Sequence, residues 1–380
     1  MRLFRYSFVL AFLVLLMTAC GGQAATPGGT STEATKQNVT VNVYDNYFDP
    51  KSVSATPQKP VVVTFVNKGS NVHIVEILGL TAETTLQPGG KVVFTITPQA
   101  RSYKMYDELY VSQGMVGAFV GGKDASSPAQ ANATTVAEPT VQSAVSAYKT
   151  YVKDQSDKLL TNTQAFVDAI NKGDMEKAKA LYGTAREGYE RIEPIAGNLG
   201  DLDPKLDARE GDLPDSQWTG FHRIEKALWV DKTTKGLDKY TKQLIVDVTT
   251  LDNGVEPLTL KPTEIIDGAV ELLNEASHSK IKGEEDRYSH TDLYDLAANV
   301  EGSQAAFIVF QSFLTKNNPA QYKDIQAKFQ QIETVLKPFR TNGGFVDYSK
   351  LTNDDKHKIA STIDTVAESL SKVAANLPQN

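Results

Sequence analysis

The hydrophobic period of this chain changes once, near residue 140, and that change limits the fold more than any other feature. From Val39 to about residue 122, apolar residues recur at every second position in "VTVNVY", "PVVVTFVN", "HIVEI" and "KVVFTI", separated by Pro, Gly and Asn. Such alternation belongs to short strands with one buried face. From Val141 onward the apolar residues return at three- and four-residue intervals, in eight segments running from "VSAYKTYVKDQSDKLL" to "DDKHKIASTIDTVAESL". That is the pattern of amphipathic helices. The chain is therefore expected to be multidomain, with an N-terminal all-β sandwich over 39–122 and a C-terminal all-α helical bundle over 141–380. The polar tract "DASSPAQANATTVAEPT" lies in the linker, 123–140.

Ahead of the first strand the sequence reads as an export signal. Arg2 and Arg5 precede the apolar run "FVLAFLVLLM", which is too short to span a bilayer, since that takes roughly 20 residues. "MTAC" and two glycines follow, and the combination resembles a lipoprotein signal. Residues 1–19 are then the signal peptide, Cys20 the lipidated first residue of the mature protein, and 20–38 a Gly/Thr/Ala-rich tether. The expected location is extracytoplasmic, in a periplasm or at a cell surface, with the membrane held through lipid alone. Cys20 is the single cysteine, so neither domain can hold a disulfide or a thiolate-based metal or redox site. The net charge of −7 argues against nucleic acid, which calls for a basic face.

Within "TGFHRIEKALW", His222 and Glu225 stand three apart among large apolar residues. The spacing predicts a helix capped by Asp215, with Pro214 in the preceding turn. On it Trp218, His222, Glu225 and Trp229 share one stripe, flanked by Phe221 and Leu228, while Arg223 and Lys226 point elsewhere. A surface ion pair does not suit that stripe. A zinc-protease helix needs His at i and i+4 with Glu beside the first, and Arg223 and Lys226 occupy those places. A metal site and a satisfied buried polar pair both fit, because His and Glu at i, i+3 project side by side. Further acids come in clusters: Glu190 and Glu193 in "YERIEP", Asp207 in the loop "DLDPKLDARE", and Glu284, Glu285 and Asp286 ahead of another helix.

The stretches "FDPKSVSATPQKPVVVTFVNKGSNVHIVEI" and "YKMYDELYVSQGMVGAFV" resemble a cupredoxin. Aligned on Tyr103, Gly114, Met115 and Gly117, the chain has Asp107 where that family has its Cys and Tyr110 where it has its second His. A blue-copper centre needs a thiolate and two imidazoles, so type 1 copper is excluded. His73, Glu76, Asp107, Glu108 and Met115 remain as a possible second metal site, harder and richer in oxygen. The alternative is a binding or docking module that has lost its ligands.

"YERIEPIA", "DLDPKLDAREGD", "WTGFHRIEKALW" and "GEEDRYSHTDLYDLAANVEGS" together resemble the imelysin-type domain of EfeO-type iron-uptake lipoproteins, whose hallmark G-x-H-x-x-E is here Gly220, His222 and Glu225. A cupredoxin-like domain ahead of the bundle matches the family's order. The resemblance implies a lipid-anchored iron-binding component of an Efe-type uptake system. Its partners would be an iron permease and a haem peroxidase. It also implies a metal site drawing on Glu190, Glu193, Asp207, His222, Glu225 and Glu285, with Arg340 of "KPFR" as a charge partner. Iron, as Fe3+ or Fe2+, suits such carboxylates, with zinc, copper or manganese as further ions for the same donors. The expected role is capture, not catalysis. The competing readings are an imelysin-like metallopeptidase and a protein that binds another divalent metal.

Overall fold

The computed structural model describes residues 37–122, 140–341 and 344–378. The signal segment, Cys20, nearly all of the tether and linker residues 123–139 lie outside the described residues.

Among the described residues nine strands form the first domain: β1 (Gln37–Tyr44), β2 (Tyr47–Asp49), β3 (Ser52–Ala55), β4 (Val61–Asn67), β5 (His73–Ile77), β6 (Thr84–Leu86), β7 (Lys91–Ile96), β8 (Ser102–Asp107) and β9 (Val116–Gly121). They make two sheets, β2-β1-β4-β7 and β3-β9-β8-β5-β6. β1 pairs parallel with β4 and β3 with β9; the remaining pairs are antiparallel. Val41, Val43, Val63 and Phe65 from one sheet and Val75, Ile77, Met105 and Phe119 from the other are buried in the core. At Gln37, ahead of the alternation, the side-chain amide donates to the Ser54 carbonyl and accepts from the Thr56 amide, each at 3.0 Å.

Among the described residues ten helices follow: α1 (Val141–Asn171), α2 (Met175–Ile192), α3 (Leu202–Asp207), α4 (Gly220–Trp229), α5 (Asp238–Val255), α6 (Pro262–His278), α7 (Asp292–Ile308), α8 (Gln311–Asn317), α9 (Pro319–Leu336) and α10 (Asn353–Ala374). α1 begins with a capping box between Thr140 and Ser143. α2 packs on α1 and α7, and α6 on α7 and α10. α7 is buried along almost its whole length, yet carries Asp292, Asp295, Asn299 and Glu301. Polar groups on a wholly buried helix require partners inside the bundle.

Local structure departs from the plain sequence pattern at four places. α2 stops at Ile192, and a 3-10 turn, Glu193–Leu199, replaces its last stretch at Pro194, which lacks an amide hydrogen. The loop expected around Asp207 contains α3, with Asp207 its last residue. α4 begins at Gly220, not after Asp215, so Trp218 precedes the helix and its indole N–H donates to the Ala208 carbonyl at 2.6 Å. Gly220 has φ +81°, and a Cβ there would stand 2.3 Å from the Leu206 carbonyl oxygen, so only glycine lets α4 start against the end of α3. The last long helical pattern before "PAQYKD" divides into α7 and α8, where Gln113 of the β domain donates to the Ile308 carbonyl at 3.0 Å.

The outer face of β5 and β8 docks on α1 and α2. Lys158 of α1 meets Glu83 at 2.6 Å, Glu76 at 3.3 Å and Glu108, and Arg191 of α2 meets Glu83 at 2.6 Å.

Candidate metal centre

α2, α3, α4, α7 and the 280–291 segment deliver one buried network of charged groups, most of them acids. Arg186 of α2 is wholly buried and lies at its middle. Its guanidinium donates to Asp207 at 2.7 Å, Asp295 at 3.2 Å and Glu190 at 2.5 Å, with Glu285 and Asp286 each at 3.8 Å. Lys280, just past α6, is buried and bridges Glu190 at 2.9 Å and Glu193 at 2.7 Å. The Asn299 amide donates to the same two carboxylates at 2.9 and 2.8 Å. Two internal cations therefore neutralise part of the acid cluster.

His222 is 1% exposed. Its Nδ1 lies 3.1 Å from Glu225 Oε2, and the other Glu225 oxygen accepts from Tyr288 N, Ser289 N and Ser289 Oγ at 2.8–2.9 Å. Glu225 is thus fixed by the backbone ahead of α7, and it in turn fixes the imidazole. Tyr182 of α2 contacts Nδ1 at 3.3 Å and donates to Asp286 at 3.1 Å. On the far side of the ring, Nε2 is buried and has no hydrogen-bond partner among the described residues. It faces Asp207 Oδ1 at 3.4 Å and Glu285 Oε1 at 3.7 Å. Donor atoms about 2.0–2.2 Å from one ion stand about 3.0–3.5 Å apart, so the Asp207 spacing suits a shared cation and Glu285 would have to draw in slightly to join it. Asp207, His222 and Glu285 form one such group, and His222, Glu225 and Asp286 a second, each with its atoms within 4.8 Å of one another.

The electrostatics match a cation-seeking cluster. Burial pushes the His222 imidazole down and Arg186 adds to that push. The close carboxylates of Asp207, Glu225 and Glu285 outweigh both and raise it well above the usual histidine value. Burial pushes Glu285 up, but Lys280 and His222 bring it down to about 2. Asp207 falls below the usual carboxylate range because Arg186 and His222 overcome its burial. Burial raises Asp286, Asp295 and Glu193, and neighbouring carboxylates reinforce it. These three carboxyls thus hold a proton more firmly than exposed ones, and a cation arriving beside them would compete with it.

The comparisons with known proteins agree with this architecture. The imelysin family model matches residues 144–373 and the cupredoxin-like domain model residues 9–120. The chain is 39% identical over 343 residues to the iron uptake system component EfeO of Escherichia coli O1:K1 / APEC, covering 88% of this chain and 90% of that one. The chain belongs to the EfeO family. The EfeO of Escherichia coli strain K12 is 38% identical over the same span. In structure, a Parabacteroides distasonis protein described as an iron-regulated protein A precursor covers 64% of this chain and 97% of its own, with TM-score 0.51 and 13% identity, a likeness of fold alone.

In this EfeO-family chain not every expected residue faces His222. Asp207, Glu225 and Glu285 do. Glu190 and Glu193 point instead to Lys280 and Asn299, and among the described residues they join no cation-sized group with His222. Arg340 is no partner of this cluster. Its guanidinium meets Glu333 at 3.1 Å and Glu301 at 3.4 Å, in a separate cleft beside the β domain. Sequence reasoning missed Arg186, Lys280, Tyr182 and Asp295. A signal existed for Arg186, which sits four residues before Glu190 and so on its face. Another existed for Asp295, which shares a helical face with Asp292 and Asn299.

The five residues expected at a second site do not converge either. Along a strand, side chains alternate between faces, so His73 and Glu76 on β5 point oppositely. His73 Nδ1 meets Asp107 Oδ2 at 2.7 Å inside the sandwich, and Asp107 N bonds the Met115 carbonyl at 3.4 Å. Glu76 and Glu108 face outward and share Lys158 with Glu83. These three glutamates form a further cation-sized group, but one already holding an ammonium.

Proposed function

We propose that this chain is the extracytoplasmic iron-binding component of an Efe-type uptake system, capturing iron at His222. The observation that carries this reading is the orphaned, buried Nε2 of His222, held between Asp207 and Glu285. With Nδ1 bonded to Glu225, the Nε2 lone pair can serve a metal, the usual arrangement of an imidazole oriented by a carboxylate behind it. Asp207, His222 and Glu285 are the proposed donors, Glu225 and Asp286 the groups that orient or complete them. Glu190 and Glu193 act through Lys280 as an outer acidic layer. Carboxylates are hard donors that suit Fe3+ and accept Fe2+, with zinc, copper or manganese as competitors. Glu225 Oε1 already accepts three hydrogen bonds and is a poor general base, which favours a carrier over a metallopeptidase. Iron would then pass to a membrane permease working with a haem peroxidase, as the EfeO-type resemblance implies.

The test is iron titration and thermal melting on the same His222→Ala/Glu225→Ala variant. Iron affinity should fall about 100-fold or more, with helix content near wild type. Intact affinity in a destabilised protein would identify a purely structural polar pair. The lipid anchor is read from Cys20, which lies outside the described residues. Cys20→Ala should release the protein into the soluble extracytoplasmic fraction or stall its processing, whereas unchanged membrane association with normal signal removal would count against lipidation. No helix among the described residues is long and apolar enough to cross a membrane.

A further inference from the structure

Along α6, Glu264, Asp267, Glu271 and Glu275 fall at i, i+3, i+7 and i+11, which places four carboxylates on one stripe. Glu264 is paired with Lys261 at 3.1 Å. Asp267, Glu271 and Glu275 are exposed and form no ion pair among the described residues. Like charges at these spacings destabilise a helix, so the stripe is not there for stability. Gly268 lies on the same side of α6. A Cβ on it would come within 1.8 Å of the Pro194 carbonyl oxygen, so the glycine allows the Glu193–Leu199 turn to press against the stripe. The two walls enclose a cleft of about 470 Å³ lined by Glu193, Asp203, Glu264, Asp267, Glu271 and Glu275.

That cleft does not end there. A second one, of about 310 Å³, shares Glu193, Asp203 and Glu275 with the first and reaches Asp207 and Glu285. Behind those two carboxylates stands the unpartnered Nε2 of His222, aimed at both from 3.4 and 3.7 Å. The countercharges along the way are few. Arg209 pairs with Glu285 at 3.0 Å and Asp212 at 3.5 Å, and Lys280 is buried in the wall against Glu190 and Glu193. Acidic side chains thus run without a break from the exposed face of α6 to a buried nitrogen that lacks a partner.

We propose that the α6 stripe and its two joined clefts are an access route that collects hydrated di- or trivalent cations and delivers them to His222. This rests on the reading of His222 as a metal centre. A cleft lined by one sign of charge focuses the field and raises the local concentration of counter-ions, which speeds association without adding a contact in the bound state. Asp267, Glu271 and Glu275 therefore act on the rate of arrival and leave the rate of departure alone.

The chain carries its own reporter. Of its only two tryptophans, Trp218 precedes α4 and Trp229 ends it, and the Trp229 ring lies 5.4 Å from that of Tyr182, whose hydroxyl touches His222. Stopped-flow fluorescence with Fe2+ under anaerobic conditions would compare wild type, Asp267→Asn/Glu271→Gln/Glu275→Gln and His222→Ala. The triple variant should associate about tenfold more slowly at low salt, dissociate at the wild-type rate, and converge on wild type as salt is raised. Association at the wild-type rate, or slowing by the same factor at every salt concentration, overturns the access route. Undiminished Fe2+ binding by His222→Ala would instead overturn the metal centre itself, and the route with it.

Discussion

The chain contains two buried histidines of nearly the same local design. His73 in the β domain and His222 in the bundle each present Nδ1 to a carboxylate, Asp107 at 2.7 Å and Glu225 at 3.1 Å, and each leaves Nε2 without a hydrogen bond. They differ in what surrounds the free nitrogen. Nε2 of His73 meets only Asp45, at 3.7 Å, and that Asp45 oxygen already accepts the Ser70 and Asn71 amides at 2.6 and 2.9 Å. Asp107 likewise spends its other oxygen on the Leu109 and Tyr110 amides. At His222 several helices converge, each contributing a carboxylate, with Arg186 and Lys280 balancing the excess. A histidine beside an acid is therefore not enough to suggest a metal centre. Convergent carboxylates that outnumber their hydrogen-bond donors are also needed, and helices can supply them. A strand sends successive acids to opposite faces.

Arg186 offers the largest perturbation of that contrast. Asp207 Oδ1 accepts from Arg186 at 2.7 Å and is the same atom that faces His222 Nε2 at 3.4 Å. Arg186 and a bound cation thus compete for one oxygen. Arg186→Gln should destabilise the metal-free protein by about 3–5 kcal/mol, the usual effect of removing one partner from a buried ion network. It should also tighten metal binding and slow metal release, because the cation would then supply the missing charge. Calorimetric melting with and without Fe2+ checks both. A variant that loses stability and affinity together would mean that Arg186 positions Asp207 for the ion.

Both histidines are raised above the usual value, and pH should reach them through different readouts, folding stability at His73 and metal affinity at His222. Burial pushes His73 down, yet Asp107 and Asp45 raise it to about 9 from 6.5. A group raised on folding contributes stability that is fully present below its unfolded value and lost as pH climbs through its folded one. The His73 contribution, about 3 kcal/mol, should therefore be present at pH 6 and fade towards pH 9.5. Denaturant unfolding of wild type and His73→Gln at the two pH values isolates it, since the gap between them should shrink at the higher pH. At His222 the proton must leave before a metal can bind Nε2. Fe2+ affinity should rise with pH, by up to about tenfold per unit while the pH remains below the raised pKa. A pH-independent affinity would remove Nε2 from the donor set.

The two architectures and the His222–Glu225 pair were readable in the sequence because they rest on local periodicity. Period two gave the sandwich, period 3.6 the bundle, and the i, i+3 spacing put the two side chains side by side. What could not be read was which acid meets which cation. Glu190 and Glu193 look like ligands in "YERIEP", but Lys280, about ninety positions later, holds them, and only tertiary packing brings the turn after α6 to the end of α2. Arg340 failed for the same reason, since its partners Glu301 and Glu333 are fixed by α7 and α9. The start of α4 was misread because Asp215 is a good cap in isolation. The close approach of α3 at Gly220 decides the matter instead, and no local propensity encodes it. Strand parity, by contrast, was available and would have separated His73 from Glu76.

The smallest expected effect tests the β-domain side of the comparison. Asp107 stands at the position of the cupredoxin thiolate and Tyr110 at that of the second imidazole, its ring 5.1 Å from that of His73. The intense colour of a blue-copper centre requires a copper–thiolate bond, and the chain has no cysteine beyond Cys20. Titrating the wild-type protein with Cu2+ should therefore leave the visible spectrum without an intense band, whatever copper binds at His222 or elsewhere through oxygen and nitrogen. Asp107→Cys combined with Tyr110→His restores the missing donor types at the same pole and should bring the band in. An intense band from the wild type would show that the sandwich holds copper by a route the donor set does not provide. It would also end the argument that His73 is a structural ion pair while His222 is the site of capture.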